Sequence, residues 1–301
     1  MMHGILNVYK EKGYTSHDVV AKLRGITGQK KIGHTGTLDP DAVGVLPVCL
    51  GKGTKVCSLL TDENKTYEAV MLLGKVTDTQ DISGKVLSER PLDVSEDEVR
   101  ETVLSFQGEY DQIPPMYSAV KVQGKRLYEL ARKGQEVERK ARRVEICSAE
   151  ILETALPEVR MSVTCSKGTY IRTLCHDIGE KLGCGGCMEE LCRTRVGRFH
   201  IEDALTLGEI EELAQAGSLA ARVVPVDAMF PEYCKAQIRK SWELYAKNGN
   251  PLPQEALEER PDETGGGKIR LYDSEGQFIA LYKWEETEET YRLEKMFFPE
   301  K

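Results

Sequence analysis

One stretch constrains this chain of 301 residues more than any other: residues 33–55, GHTGTLDPDAVGVLPVCLGKGTK. Gly33, Gly36 and Gly44 can take backbone shapes closed to other residues and let another backbone or a ligand come close. Pro40 fixes its own φ and pushes Asp39 away from helical geometry. His34 and Thr37 place polar side chains just ahead of that carboxylate, and Val43, Val45, Leu46 and Val48 carry the chain back into a core. A constrained loop presenting one carboxylate suits nucleophilic catalysis, because a nucleophile must be held at attack distance. The same residues also build an ordinary Gly/Pro turn with a surface aspartate, so local chemistry leaves both readings open.

The stretch excludes one function and weakens another. LGKGTK resembles a phosphate-binding loop, but that loop needs Gly six residues before the Lys and Ser or Thr directly after it. Those positions hold Leu46 and Gly53. Asp39 to Val43, DPDAV, fits the D-x-D-x-[TV] pattern of Mg²⁺-dependent phosphotransferases with an aspartate nucleophile. Such a site would be expected at the end of a buried apolar strand, and IGHTGTL before it is polar and Gly-rich.

Several other motifs follow in order. They are NVYKEKGYTSHDVV (7–20), KTYEA (65–69), QIPPMYSAVKVQGKRLYELAR (112–132), CSKGTYIRTL (165–174) and LGCGGCMEELCRTR (182–195). With the 33–55 stretch they resemble the TruB family of tRNA pseudouridine synthases, over residues 4 to about 230. One departure is Glu11, which stands where that family usually has proline.

The resemblance implies isomerisation of uridine to pseudouridine in the T loop of tRNA, at uridine 55, with no cofactor. The N1–C1′ bond breaks, the uracil rotates, and a C5–C1′ bond forms. A target base inside a folded loop must be flipped out first. Asp39 is then the nucleophile or proton-transfer carboxylate, with attack at C1′, attack at C6 and elimination all open. Arg172 is its cationic partner. Tyr67 stacks on the flipped uracil and can take the C5 proton. His34 fills the space the base vacates, Leu191 lines the uracil pocket, and Lys10 contacts substrate. Two other readings stand beside this one: a tRNA-binding and folding chaperone that has lost the chemistry, and the phosphotransferase.

Charge distribution bears on the RNA expectation. The whole chain carries −8, and residues 241–301 hold 8 Lys/Arg against 14 Asp/Glu. Residues 121–143 reverse this, with 9 Lys/Arg and 3 Glu. Phosphate binding follows the local patch rather than the sum. The stretch 115–143 resembles the thumb that grips the T loop in stand-alone bacterial members of the family. It supplies Lys121, Lys125, Arg126, Arg132, Arg139, Lys140, Arg142 and Arg143 as candidate phosphate contacts. A thumb argues against a need for guide RNA or accessory proteins, and the family suggests a monomer.

The remaining composition sets outer bounds. The 40% apolar fraction suffices for a sizeable core. There is no run of about 18 apolar residues and no signal peptide, so the chain is expected in the cytoplasm. Nine cysteines, an odd number, fit a reducing compartment better than a disulfide framework. Cys184-x-x-Cys187, with Cys192 nearby, lacks a fourth ligand at zinc-like spacing, so no metal is expected.

Local patterns predict the elements. Ser16 is expected to cap a helix carrying Val19, Val20 and Leu23, ending near Gly25 or Gly28. Ser95 with Glu98, and Thr206 with Glu209, form capping boxes. Residues 67–73 and 159–165 alternate as strands, and a helical pattern follows Gly168 up to Gly183. Strands and helices mix without a regular βαβ period, which predicts an α+β fold with a mixed, mostly antiparallel sheet. The resemblance adds the pseudouridine synthase fold with a central cleft. A boundary is expected near Phe230-Pro231, giving a catalytic domain over 1–230. Turns at 248–251 and 265–267, with short strands at 268–272, 278–284 and 291–298, suggest a small PUA-like β domain over 231–301.

Overall fold

The structure, a computed structural model, describes residues 1–259, 261 and 267–297. Its spine is a nine-stranded sheet. The first strands are β1 (Gly4–Lys10), β2 (Ile32–His34), β3 (Val43–Leu50) and β4 (Lys65–Leu73). A side hairpin, β5 (Lys75–Thr77) with β6 (Val86–Glu89), precedes β7 (Gly108–Gln112). The pair β8 (Lys121–Val122) and β9 (Lys125–Arg126) stands apart, and β10 (Arg142–Ala155), β11 (Glu158–Cys165), β12 (Gly186–Val196) and β13 (Phe199–His200) complete the set. The order is β1-β3-β12-β4-β11-β10-β7, with β2 on β3 and β13 on β12. Only β3 and β12 run parallel, so the sheet is mixed and mostly antiparallel, as the pattern predicted.

Helices cover the sheet where its side chains are apolar: α1 (Ser16–Thr27), α2 (Cys57–Asp62), α3 (Glu96–Leu104), and, after α4 (Leu127–Ala131), which packs beside β9 instead, α5 (Ile171–Lys181) and α6 (Leu207–Gln215). One core packs α3 and α5 onto Ala69, Met71, Met161 and Val163 of the central strands. A second packs α1 and α6 onto Leu6, Val8, Leu46 and Val48. The capping boxes at Ser95–Glu98 and Thr206–Glu209 are both present. The cap of α1 is a correction. Thr15, not Ser16, accepts from the amide of Asp18, and Asp18 reaches back to Thr15. The helix ends at Gly28, whose φ of 65° suits glycine.

Residues beyond 233 form a five-stranded sheet: β14 (Cys234–Gln237), β15 (Leu252–Pro253), β16 (Lys268–Tyr272), β17 (Phe278–Glu285) and β18 (Thr290–Met296), with the short helix α7 (Glu243–Lys247). It has its own core around Ile238, Leu252, Leu271 and Tyr282. Leu281 and Phe297 bridge to Val45 and Phe230 of the larger body. The expected third strand stops at Met296, and its last predicted residue, Phe298, lies outside the described residues, as do Gly265 and Gly266. No helix among the described residues is long and apolar enough to cross a membrane.

Candidate active site

Residues 35–42 form a loop between β2 and β3, pinned from three sides. From the N-terminal segment, the Ser16 hydroxyl accepts from the Leu38 amide at 2.9 Å, and the Gly13 amide donates to the Pro40 carbonyl at 2.9 Å. This explains why Ser16 does not cap its own helix. From β3, the Pro47 carbonyl takes the Thr35 hydroxyl at 3.2 Å. From β12, Arg193 donates Nε to the Val45 carbonyl at 2.7 Å and Nη2 to the Gly36 carbonyl at 3.2 Å. Gly44, at φ 103°, packs where a Cβ would lie 2.2 Å from the Arg193 carbonyl. Glycine is therefore obligatory there.

Asp39 emerges from this loop half-exposed and meets Arg172, which lies in the first turn of α5 and is almost wholly buried. Arg172 Nε is 3.0 Å from Asp39 Oδ2, and its Nη1 is 3.5 Å from a second carboxylate, Asp81. The rest of the guanidinium is fixed by the carbonyls of Thr79, at 3.0 Å, and Tyr117, at 2.8 Å. An arginine fork bonded on every side holds one direction, so the Asp39 carboxylate is held with it. Burial pushes the Asp39 carboxyl above its usual range, Arg172 opposes this, and Asp81 adds to it. The guanidinium thus works against the burial that disfavours the charged carboxylate.

Tyr67 on β4 is buried and stands directly opposite Arg193 on β12, so the two side chains share a face of the sheet. Burial raises the Tyr67 hydroxyl's pKa, and the Arg193 cation opposes that. Leu191, two residues before Arg193, packs on the same core as Tyr67. The structure thus brings Asp39 and Arg172 into contact beside Tyr67, with Leu191 on the same core as Tyr67. His34 is half-buried, edge-on to His17 at a centroid distance of 5.8 Å. Burial and the neighbouring His17 push its pKa down, which favours the neutral ring.

Lys10 is placed differently from the sequence expectation of substrate contact. Its side chain is fully buried, and Nζ bonds the carbonyls of Glu11 at 3.2 Å and Pro40 at 3.1 Å. It braces the loop from behind, and burial lowers its pKa to about 8. Lys65 does the same for residues 61–63 and is likewise pushed to about 8.

The 115–143 segment joins the site through its root. Gln112 brackets the backbone of Tyr170, accepting from its amide at 2.8 Å and donating to its carbonyl at 3.0 Å, just before α5. With the Tyr117 carbonyl on Arg172, this ties the segment's base to the Asp39–Arg172 pair. Beyond it, Gln123 and Gly124, both at positive φ, turn the β8–β9 hairpin. Lys121, Lys125, Arg126, Arg132, Lys140 and Arg142 are exposed. Arg126 and Arg132 both lie over the Tyr128 ring, at 5.8 and 5.5 Å. Two expected contacts are already engaged within the protein. Arg143 pairs with Asp111 at 2.8 Å and Glu109 at 3.2 Å, and Arg139 bonds Glu136 and the Pro114 carbonyl.

In LGKGTK, a Cβ on Gly53 would lie 2.2 Å from the Gly4 carbonyl, so these glycines serve backbone packing. Asp39 precedes β3 instead of ending a buried strand, which removes the geometry of an aspartyl phosphotransferase. Cys184 and Cys187 are buried, and no group of three or more His, Cys, Asp or Glu gathers at metal-binding distance among the described residues.

Comparison with known proteins decides the family. Residues 24–171 match the family model described as TruB family pseudouridylate synthase (N terminal domain), and residues 172–231 match that of the tRNA pseudouridylate synthase B C-terminal domain. The tRNA pseudouridine synthase B of Lachnoclostridium phytofermentans is 52% identical over 98% of this chain and all of its own length. That of Clostridium tetani is 44% identical over 98% of this chain and 99% of its own. The chain belongs to the TruB family of pseudouridine synthases. A solved H/ACA RNP bound to a substrate RNA containing 2′-deoxyuridine holds a chain with the same fold. It is 28% identical with a TM-score of 0.72, over 99% of this chain and 86% of that one. The fold is thus the pseudouridine synthase fold, with a small C-terminal β domain.

Two residues at this TruB-family site escape a reading of the sequence alone. Asp81 comes from a loop 42 positions after Asp39, and Arg193 from a strand 154 positions after it. Arg193 left one signal: it sits two residues from Leu191, so on a strand both face the same side.

Proposed function

We propose that this chain isomerises uridine 55 in the T loop of tRNA to pseudouridine, as a stand-alone monomeric enzyme without guide RNA. Residues 1–230 form its catalytic unit and 231–301 a PUA-like appendage. The observation that carries the reading is the Asp39–Arg172 pair, which holds a carboxylate against a buried cation beside Tyr67 and Leu191.

Asp39 is the nucleophile or proton-transfer group. Tyr67 stacks on the flipped uracil and takes the proton that must leave C5. The reaction is an internal exchange: the N1–C1′ bond breaks, the C5–C1′ bond forms, C5 loses a proton and N1 gains one. No redox change or group transfer to water is required. Lys121, Lys125, Arg126, Arg132, Lys140 and Arg142, all exposed, supply phosphate contacts, and Tyr128 with its two arginines offers a cationic stacking surface.

The test uses an unmodified tRNA transcript tritiated at uracil C5, in EDTA. Tritium release, with pseudouridine mapped to the T loop, supports the reading. Binding without release supports a non-catalytic folding chaperone instead.

A further inference from the structure

Arg193 and Arg172 are both buried, but they face different groups. Arg172 is flanked by two carboxylates, Asp39 at 3.0 Å and Asp81 at 3.5 Å. Arg193 is 1% exposed, and among the described residues no carboxylate forms an ion pair with it. Its Nε and Nη2 are taken by the carbonyls of Val45, at 2.7 Å, and Gly36, at 3.2 Å. The fork carries further N–H groups, and the guanidinium also hydrogen-bonds the Tyr67 hydroxyl, directly across the β4–β12 ladder. A charge this deep is costly unless hydrogen bonds or an opposite charge meet it. The carbonyls supply the first. Tyr67 is the ionisable acid set against it.

The resting hydroxyl keeps its proton. Burial raises its pKa, the Arg193 cation opposes the rise, and Cys165 and Asp39 add to it. A neutral phenol cannot take a proton from carbon, so a Tyr67 that accepts the C5 proton must act as a phenolate. A negative charge developing in a buried site is stabilised by a cation already fixed beside it. Arg172 is turned to Asp39 and Asp81. Lys65, two residues before Tyr67, is committed to the carbonyls of Thr61 and Glu63, at 2.6 and 2.5 Å. Arg193 is the cation aimed at the hydroxyl.

We propose that Arg193 is a positioning residue for proton transfer, the cation that holds Tyr67 as a phenolate while it takes the C5 proton of the flipped uracil. The proposal rests on the pseudouridine reading above. The protons balance within the substrate. The Tyr67 hydroxyl proton passes to the uracil, whose N1 must gain one, and the phenolate takes the proton from C5, so Tyr67 ends as it began. Because the same guanidinium grips the 35–42 loop at Gly36, one side chain ties the proton acceptor to the loop that carries Asp39.

The experiment follows single-turnover conversion of tRNA transcripts carrying ordinary or C5-deuterated uridine, by wild type, Arg193→Gln and Arg193→Lys, with tRNA affinity measured alongside. Gln removes the charge and can still donate to a carbonyl, whereas Lys keeps the charge. Arg193→Gln should slow conversion by about 10²–10³-fold at unchanged affinity, with a C5-deuterium isotope effect larger than that of wild type. Arg193→Lys should regain most of the rate. Equal slowing of both variants with no rise in the isotope effect would leave Arg193 as a loop clamp and overturn the proposal, as would an Arg193→Gln variant that is as fast as wild type. Should Arg193→Gln show no cooperative unfolding transition, Arg193→Lys decides: a rate close to wild type supports the proposal, and a loss of about 10²-fold or more overturns it. A wild-type protein that forms no pseudouridine fails at the functional reading instead, and takes the proposal with it.

Discussion

The cleft floor and the thumb use the same residue types in opposite ways. On the floor, Lys10, Arg172 and Arg193 are each at most 5% exposed, and their donors are taken up by carbonyls or by Asp39 and Asp81. On the thumb, most cations stand in solvent, and two of them, Arg126 and Arg132, lie over the Tyr128 ring. Desolvated cations fix geometry and charge, because moving them leaves polar groups unpaired. Solvated cations remain free to replace the counterions of an RNA backbone. The floor should therefore govern chemistry and the thumb affinity, and several changes test that division.

The largest effect is expected from Asp39→Asn, which should lower the single-turnover rate by at least about 10⁴-fold, as loss of a nucleophile does, with RNA affinity unchanged. Next is Arg172→Met. It leaves Asp39 facing Asp81 without the cation between them, and should cost about 10²–10³-fold in rate. Burial already raises the Asp39 pKa and Arg172 opposes this. Removing Arg172 must raise it further, so the acid limb of the pH–rate profile should move to higher pH. A limb that stays in place would separate Asp39 ionisation from the rate.

Arg193→Met strips two charge-assisted bonds from buried carbonyls and should lower unfolding stability by about 3 kcal/mol, read from denaturant midpoints. A smaller change is expected from Lys121, Arg126 and Arg132 replaced together by Ala. The salt slope for RNA binding should fall by about 2–3, with the rate at saturating RNA preserved. Smallest of all, Arg143→Ala should leave the slope as it is, because that guanidinium is held by Asp111 and Glu109. A drop of a full unit would show that RNA displaces those carboxylates.

What could be read from the sequence was local or carried by a motif. The capping boxes at Ser95 and Thr206 depend on residues three apart, and both formed. Asp39, Tyr67 and Arg172 stood in motifs, and the fold brings them together. Failures came where long-range contacts outweighed local pattern. Ser16 fits a cap, yet its hydroxyl bonds Leu38, and Thr15 takes the cap because Asp18 lies three residues on. Lys10 looks like an exposed substrate contact until the loop folds over it. MEELCRTR is too polar to suggest a strand, yet Gly186–Val196 lies inside the sheet, with Arg193 buried by the loop it clamps. Asp81 reaches Arg172 only through the tertiary fold.

One paired measurement tests the division most directly: Kd and single-turnover rate at saturating tRNA, for Asp39→Asn and for the triple thumb variant side by side. The account predicts wild-type affinity with no detectable product for the first, and weakened affinity with a wild-type rate for the second. Product formation by Asp39→Asn, or a thumb variant that stays slow at saturation, would contradict it.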